Sequence, residues 1–326
     1  MKRASAPCGR SCVGFSLVEL MVAMLVGLLV IGGALAAYAK ARDIYDANEA
    51  AARLQENARY ALAVIEQDLR MANYWGLTNR ADLVTINPAS SFPATCGGTW
   101  VTDVTHYVAG YNNGYGASCA ASGGGAAIGS DVLIVRRASA QRITPQSATI
   151  AAPNRNQVLV VTSRTGGQVF VPSHVSNTLP AGFATSDPAG QPPLADTRQM
   201  LVNAYYVSRN SSVANGYPAL RRKTLVAGPA IGEEEVLPGI EDLQFQVGVD
   251  SDGDTSADLY ANPGAVPAGS TPVSVRIWLR LRAEEIDPAF SDATTYAYAD
   301  RRFTAPPDHH RRLLVATTVQ LRNSPP

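Results

Sequence analysis

Residues 14–24 read GFSLVELMVAM, and the apolar run that they open continues to Ala39. From Leu20 to Ala39 the chain has twenty residues without a formal charge. In a helix that rises about 1.5 Å per residue, such a stretch crosses the ~30 Å hydrocarbon layer of a bilayer. Glu19 lies at the start of this span, where a carboxylate is costly and seldom kept without a partner. The stretch predicts one membrane-spanning helix that begins with a functional carboxylate.

The helix is predicted to continue beyond the membrane. Residues 40–72 contain no Gly and no Pro, and their apolar positions recur at spacings of three and four. This pattern is typical of an amphipathic helix that packs one stripe on a core. The stripe consists of Ile44, Ala47, Ala51, Leu54, Ala58, Ala61, Ile65, Leu69 and Ala72. We therefore expect an N-terminal segment over 15–75. It is helical from Phe15 to about Asn73, and its membrane half covers 20–39.

Strand patterns fill the rest of the chain, residues 76–326. Val273–Arg282 is the clearest, because apolar residues alternate there with Arg276, Trp278 and Arg280, so that one row faces a core and the other faces outward. Further strands are predicted near 131–136, 157–162, 168–171, 201–208, 219–226, 243–249 and 313–322. A helix followed by strands predicts an α+β fold, with the helix laid on an antiparallel sheet.

The N-terminal sequence resembles the class III signal of type IV prepilins. Residues 1–14 form a short basic leader that ends in Gly14, and FSLVELMVAM follows it. The resemblance implies that a prepilin peptidase cleaves the bond between Gly14 and Phe15 and methylates Phe15. It also implies that Glu19 is the assembly residue, and the ammonium group of Phe15 in a neighbouring subunit is a suitable partner for its carboxylate. The alternatives are an uncleaved anchor and an ordinary secretory signal, but the latter places its cleavage site after the apolar region.

Several later segments resemble the PilW-type minor pilins in the same order along the chain. They are LQENARYAL at 54–62, DLRMANY at 68–74, LPGIEDLQFQVGVD at 237–250, VRIWLRLR at 275–282 and TTVQLRN at 317–323. The resemblance is weak over 77–199. It implies a structural subunit near the filament tip that helps to initiate pilus assembly and acts in adhesion and twitching motility. The alternatives are a minor pseudopilin of type II secretion and an adhesin or binding module displayed on a pilus.

Charge and topology agree with an exported protein. The chain has 27 basic and 27 acidic side chains, and removal of the leader with Lys2, Arg3 and Arg10 leaves a net charge of −3. This balance does not suit nucleic-acid binding. Basic residues before the apolar run stay on the cytoplasmic side, so residues after Ala39 are expected in the periplasm until assembly places them in an extracellular pilus. The expected partners are the prepilin peptidase, the inner membrane, other minor pilins, the major pilin and a tip adhesin.

The cysteines divide by compartment. Cys8 and Cys12 lie in the leader, whereas Cys96 and Cys119 lie in the exported part, within a region rich in Gly, Ser and Asn. An oxidising compartment and few apolar residues favour one disulfide between Cys96 and Cys119. A zinc site is the alternative, but the chain offers neither a CxxC motif nor a His at ligand spacing.

A second candidate site is an acidic loop. Its four carboxylates belong to Asp250, Asp252, Asp254 and Asp258. They occupy loop positions 1, 3, 5 and 9, which is a spacing that suits Ca²⁺, but the loop departs from the EF-hand pattern because Gly and the final Glu are not at their usual positions. The pattern favours an acidic solvated turn, with a weak calcium site as the alternative. No motif for a catalytic nucleophile or a phosphate-binding loop is present, so we do not expect an enzyme.

Overall fold

The computed structural model describes residues 14, 16–92, 96, 99–143, 149–183 and 195–325. The chain divides into two compact units, Met1–Ala51 and Ala52–Pro326. One long helix, α1 (Leu17–Arg70), begins in the first unit and ends in the second. Within α1 an 18-residue window has a mean hydropathy of 2.5, and none of it is buried. The helix is therefore long and apolar enough to cross a membrane.

The helix ends slightly earlier than predicted. α1 stops at Arg70, and residues 71–73 form a turn in which the N–H groups of Met71 and Ala72 donate to the carbonyls of Asp68 and Leu69. Asn73 has a φ of 60°, which is a left-handed conformation that Asn adopts more readily than most residues. The expected end near Asn73 is corrected to Arg70, because this conformation turns the chain out of the helix.

Fourteen strands follow α1 in the described residues. They are β1 (Val84–Ile86), β2 (Val108–Tyr111), β3 (Val132–Ile143), β4 (Leu159–Thr162), β5 (Gly167–Phe170), β6 (Asp196–Ser208), β7 (Ala219–Val226), β8 (Ala230–Pro238), β9 (Ile240–Asp250), β10 (Leu259–Ala261), β11 (Thr271–Ile286), β12 (Thr295–Tyr298), β13 (Arg301–Thr304) and β14 (His310–Gln320). Short 3-10 helices cover Ala81–Leu83, Ala152–Asn154 and Pro172–His174. This confirms an α+β fold.

The strands form more than the single antiparallel sheet that we expected. An eight-stranded sheet has the order β1-β5-β4-β6-β3-β2, with β7 paired to β6 and β8 paired to β7. A four-stranded sheet has the order β10-β9-β11-β14, and β12 pairs with β13 in a separate hairpin. The pairs are antiparallel except for β1 and β5, which are parallel. The segment 77–199, whose role the sequence left open, supplies β1 to β5 and the start of β6.

The apolar stripe of α1 enters the core only over its last turns. The first residue of the stripe to be buried is Leu54, while Ile44 remains about half exposed. The buried members pack in one cluster with alternate residues of β9 and β11 and with residues of β3, β6 and β7. They are Leu54, Ala58, Ala61, Ile65, Leu69 and Ala72. Full burial of each Leu or Ile in this row stabilises the fold by roughly 1.5–3 kcal/mol.

Six strands escaped prediction, namely β1, β2, β8, β10, β12 and β13, and β8 did so because it is acidic. β8 carries Glu233, Glu234 and Glu235 in succession, a composition that strand propensities disfavour. Basic residues on β7 lie opposite them in register, with Arg221 opposite Glu235, Arg222 opposite Glu234 and Lys223 opposite Glu233. Opposite charges on paired strands stabilise a sheet, so the register compensates for the poor propensity.

Candidate functional site

The N-terminus of α1 contains the residues with the strongest functional prediction. The hydroxyl of Ser16 accepts a hydrogen bond from the backbone N–H of Glu19 at 3.2 Å, so Ser16 caps the helix and Glu19 is its third residue. A Ser three positions before a Glu is the spacing of a capping box, and a carboxylate in a first turn interacts favourably with the helix dipole. The structure thus places Glu19 at the third position of a capped helix, a position that the sequence reasoning did not consider.

The predicted processing site lies beside this cap. Gly14 is exposed, and an added Cβ there would meet no described atom within 4 Å. Phe15, the predicted methylation site, lies outside the described residues, and the pairing of its ammonium group with Glu19 stays a prediction. Glu19 is itself exposed.

A buried ion pair fastens the other end of α1 to the eight-stranded sheet. The carboxylate of Asp68 accepts hydrogen bonds from Arg137 of β3 at 2.6 and 2.9 Å. It also accepts one from the amide of Asn203 and one from the hydroxyl of Tyr205, both on β6 and both at 2.6 Å. Asp68 is 3% exposed, so this network is almost dry. The sequence signal that we missed was the charge of Asp68, which lies on the same face of α1 as the buried Ile65 and Leu69.

The predicted outward row of β11, which also includes Ser274 and Arg282, differs from the structure at two residues, because Ser274 and Arg280 are both buried. Arg280 is 4% exposed rather than solvated, because the β12–β13 hairpin covers it. Its guanidinium lies 3.4 Å from the ring centroid of Phe303 and donates to the hydroxyl of Tyr298. The Nε atom of Arg280 is 2.9 Å from Glu241.

Two neighbouring carboxyl groups beside Arg280 have pKa values that shift in opposite directions. Burial raises the pKa of Asp242, which accepts a hydrogen bond from Tyr298 at 2.6 Å. Burial acts in the same direction on Glu241, but the hydrogen bond from Arg312 and the charge of Arg280 outweigh it and lower the pKa of Glu241. Tyr298 of β12 is hydrogen-bonded to Asp242 of β9 and to Arg280 of β11, so these contacts hold the β12–β13 hairpin on the four-stranded sheet.

Cys96 and Cys119 form a disulfide in the structure, as the sequence predicted. The cysteines are separated by 23 positions, and Cys96 is 4% exposed. Cys96 packs in a second core cluster that also contains Trp75 and Trp100. The bond therefore ties a Gly-rich segment to the core beneath the eight-stranded sheet.

The acidic loop brings three of its four carboxylates together. Oxygens of Asp250, Asp252 and Asp254 lie within 4.8 Å of one another. Asp258 is engaged elsewhere, because its carboxylate accepts from the N–H and the hydroxyl of Ser251 at 2.8 and 2.6 Å. The four-residue set stays a prediction, of which the structure brings three carboxylates together, and the choice between a solvated turn and a weak calcium site stays open.

Hydrogen bonds within the loop hold its shape. The N–H of Gly253 donates to Asp250 at 2.7 Å and lowers the pKa of that carboxyl, and the N–H groups of Thr255 and Asp252 act in the same direction. An Asp side chain that accepts several backbone N–H groups is a common way to close a turn.

Together, an apolar helix of membrane-spanning length and an antiparallel-rich head define an α+β protein with one helix that is long and apolar enough to cross a membrane. The family model described as Type IV Pilus-assembly protein W matches residues 204–323, from within β6 to just beyond β14. The match supports a PilW-type protein of the type IV pilus, involved in pilus assembly. It contains the whole four-stranded sheet against which α1 packs. Comparisons with curated proteins and with solved structures found no match.

Proposed function

We propose that this chain is a minor pilin, a structural subunit with a pilin-like fold that takes its place near the tip of a type IV pilus and helps to initiate assembly. The observation that carries the proposal is the sharing of one helix between two environments. The last turns of α1 belong to the core of the family-matched region, while its first half exposes the apolar surface that a bilayer covers.

The proposed life cycle follows from this division. Before assembly, α1 anchors the subunit in the inner membrane with its N-terminus in the cytoplasm and its head in the periplasm. The prepilin peptidase removes residues 1–14 and methylates Phe15. The subunit then leaves the bilayer, and its apolar helix is covered by helices of other minor pilins and of the major pilin. Its role there is structural, without catalysis.

Glu19 guides the transfer from membrane to filament. In a low-dielectric environment an unpaired carboxylate and an unpaired ammonium are both costly, and each relieves the other when they meet. The carboxylate of Glu19 in an arriving subunit therefore attracts the N-terminal ammonium of Phe15 in its neighbour. This pairing fixes the axial position of one helix relative to the next.

The experiment is deletion of the gene, with complementation by the intact chain. We expect deletion to reduce the number of surface pili while protein secretion by a type II system continues at its normal level. We also expect the complementing protein in sheared pili at a low ratio to the major pilin. Loss of secretion with normal piliation would contradict the proposal and favour a pseudopilin.

A further inference from the structure

Arg276 has an unusual environment on the outer face of the four-stranded sheet. Its guanidinium carbon lies 3.9 Å from the ring centroid of Tyr260 and 5.9 Å from that of Trp278, and all three residues are partly buried. Within the described part of the chain, no carboxylate or carbonyl accepts a hydrogen bond from this guanidinium. Arg276 thus presents N–H donors that have no protein acceptor among the described residues.

The neighbouring arginines of the same strand, unlike Arg276, each lie near a carboxylate. Arg280 and Arg282 both lie near Glu241, at 2.9 and 3.8 Å, and Arg280 is covered by the β12–β13 hairpin. A planar guanidinium that is held on an aromatic ring and lacks a counter-charge is suited to bind a carboxylate through two parallel hydrogen bonds.

The ring under Arg276 is itself fixed in place. Tyr260 is paired with Gly248 across β9 and β10, and a Cβ at position 248 would lie only 2.9 Å from Cε1 of the Tyr260 ring. The hydroxyl of Tyr260 accepts a hydrogen bond from Ser274 at 3.2 Å. Because ring and guanidinium are already ordered, a ligand that binds them loses little free energy to ordering of side chains.

A chain of amide groups leads from the cross-strand neighbour of Arg276 to Asp300, which lies in the turn of the β12–β13 hairpin. Gln246, the cross-strand partner of Arg276, donates to the Oδ1 atom of Asn262 at 2.8 Å. Three amides, from Asn112, Asn113 and Asn262, donate to the same Oδ2 atom of Asp300, each at 2.9 Å. Among the residues that the structure describes, no cation lies within ion-pair distance of Asp300.

The positive charge of Arg276 and the negative charge of Asp300 together indicate what kind of ligand could bind here. A polyanion would meet Arg276 at one end and be repelled by Asp300 at the other. A sugar with one carboxylate fits both ends, because its hydroxyls donate to Asp300 and exchange hydrogen bonds with the asparagine amides, while its carboxylate accepts from Arg276. The apolar face of a sugar ring also packs well on an aromatic side chain such as Trp278.

We propose that this patch, formed by Arg276, Trp278, Tyr260, Asp300 and the three asparagines, binds a saccharide that contains a uronic acid. Arg276 holds the carboxylate, Trp278 supports the ring, and Asp300 with its amides binds the hydroxyls. This is a ligand-binding activity in addition to the structural role in the pilus.

The test uses the full chain in detergent micelles. The probe is a galacturonic acid trisaccharide with one free carboxylate and two methyl esters, and its fully methyl-esterified form is the neutral control. Trp75 and Trp100 are 0% and 3% exposed, so among the three tryptophans Trp278 is the one that a quencher such as acrylamide reaches. We expect the acid to protect Trp278 from quenching in a saturable, salt-sensitive manner. The methyl ester should protect at least about 10-fold less well, because it has no charge for Arg276.

Matched variants test whether Arg276 is responsible for binding of the acid. Arg276→Gln should weaken binding of the acid at least about 10-fold, and Arg276→Lys should weaken it by less, because Lys keeps the charge and loses the planar fork. Arg164→Gln removes an exposed arginine on a distant turn and should bind like the wild type. None of these changes should alter the amount of this protein in pili, so failure of this proposal is distinguishable from failure of the pilin role.

Three results would overturn the proposal. They are the absence of saturable protection by the acid, equal binding of acid and methyl ester, and unchanged binding in Arg276→Gln. Competition by tetraglutamate as strong as that by the uronate would also overturn it, because the natural occupant would then be a carboxylate of a partner protein.

Discussion

Asp68 of α1 and Arg137 of β3 form a buried ion pair in which the Nη2 atom of Arg137 lies 2.6 Å from the Oδ1 atom of Asp68. The side chains are 4% and 12% exposed, respectively. Helix and eight-stranded sheet are thus joined by charge as well as by apolar packing. This contact holds the last turns of α1 against β3 of the head.

Removal of the Asp68 charge should destabilise the head strongly. Asp68→Asn leaves Arg137 buried without a counter-charge, which typically costs about 3–5 kcal/mol of unfolding free energy. Denaturant unfolding of the full chain, followed by the fluorescence of buried Trp75, measures the change. The control is Glu285→Gln, which breaks a 3.0 Å pair with Arg53 whose side chains are both 59% exposed, and it should cost less than about 1 kcal/mol. Similar costs for the two variants would contradict the role given to burial.

A pH effect is expected from Asp131, which is 1% exposed. Burial raises the pKa of this carboxyl to about 7, against the effect of the N–H donors of Asn113 and Phe245. Since the pKa in the folded state exceeds the unfolded value of 3.8, the contribution of Asp131 is fully present below pH 3.8 and is lost as pH rises through 7. The loss is on the order of 4 kcal/mol, at 1.36 kcal/mol for each pKa unit of the shift.

Other carboxyl groups titrate in the same range, so the measurement is a difference between wild type and Asp131→Asn. The unfolding free energy of the wild type relative to the variant should decline between pH 4 and pH 8. A constant difference over that range would refute the raised pKa of Asp131.

The disulfide should hold the Gly-rich segment in place. In protein from the periplasm that is denatured without reduction, Cys96 and Cys119 should not react with an alkylating agent. Replacement of both by Ser should lower the unfolding free energy by about 2–4 kcal/mol, because closure of the loop restricts the unfolded chain. Alkylation of both thiols in the unreduced protein would show that the bridge does not form in the cell.

The mature chain should begin at methylated Phe15. Mass spectrometry of the protein from assembled pili should find an N-terminal peptide that begins with Phe15 and carries one added methyl group. Recovery of the intact Met1 chain, or of a chain cleaved after Ala39, would exclude the prepilin processing.

Two substitutions at Glu19 separate its proposed role from the local role in the helix cap. Glu19→Gln keeps a residue suited to the third position of a capping box but removes the charge, whereas Glu19→Ala removes both. If Glu19 pairs with the ammonium group of a neighbour, both variants should show a reduced ratio of protein in sheared pili to protein in membranes. A normal ratio for Glu19→Gln with a reduced ratio for Glu19→Ala would assign Glu19 to the helix cap alone. Leader cleavage, checked by mass, should be unaffected in both variants.

Local sequence patterns were sufficient for several elements. β7 has the same bounds as its predicted strand, and β9, β11 and β14 lie where alternation or apolar runs placed them. The stripe from Leu54 to Ala72 is buried as its spacing predicted. These features follow from the periods of helix and strand, and a period is a property of neighbouring residues.

The sequence by itself therefore determined the membrane-length helix, its amphipathic extension, the main strands and the pairing of Cys96 with Cys119. Only the tertiary structure decided which partners each strand has, that β8 pairs through charge, and that Arg280 is buried while Arg276 is not. It also decided that Asp68 meets Arg137 and that three asparagines from two distant segments meet at Asp300. The physical reason is that the contacts of Asp68 and Asp300 join residues from 38 to 188 positions apart, and no local periodicity records which distant side chain will satisfy a buried charge or an exposed donor.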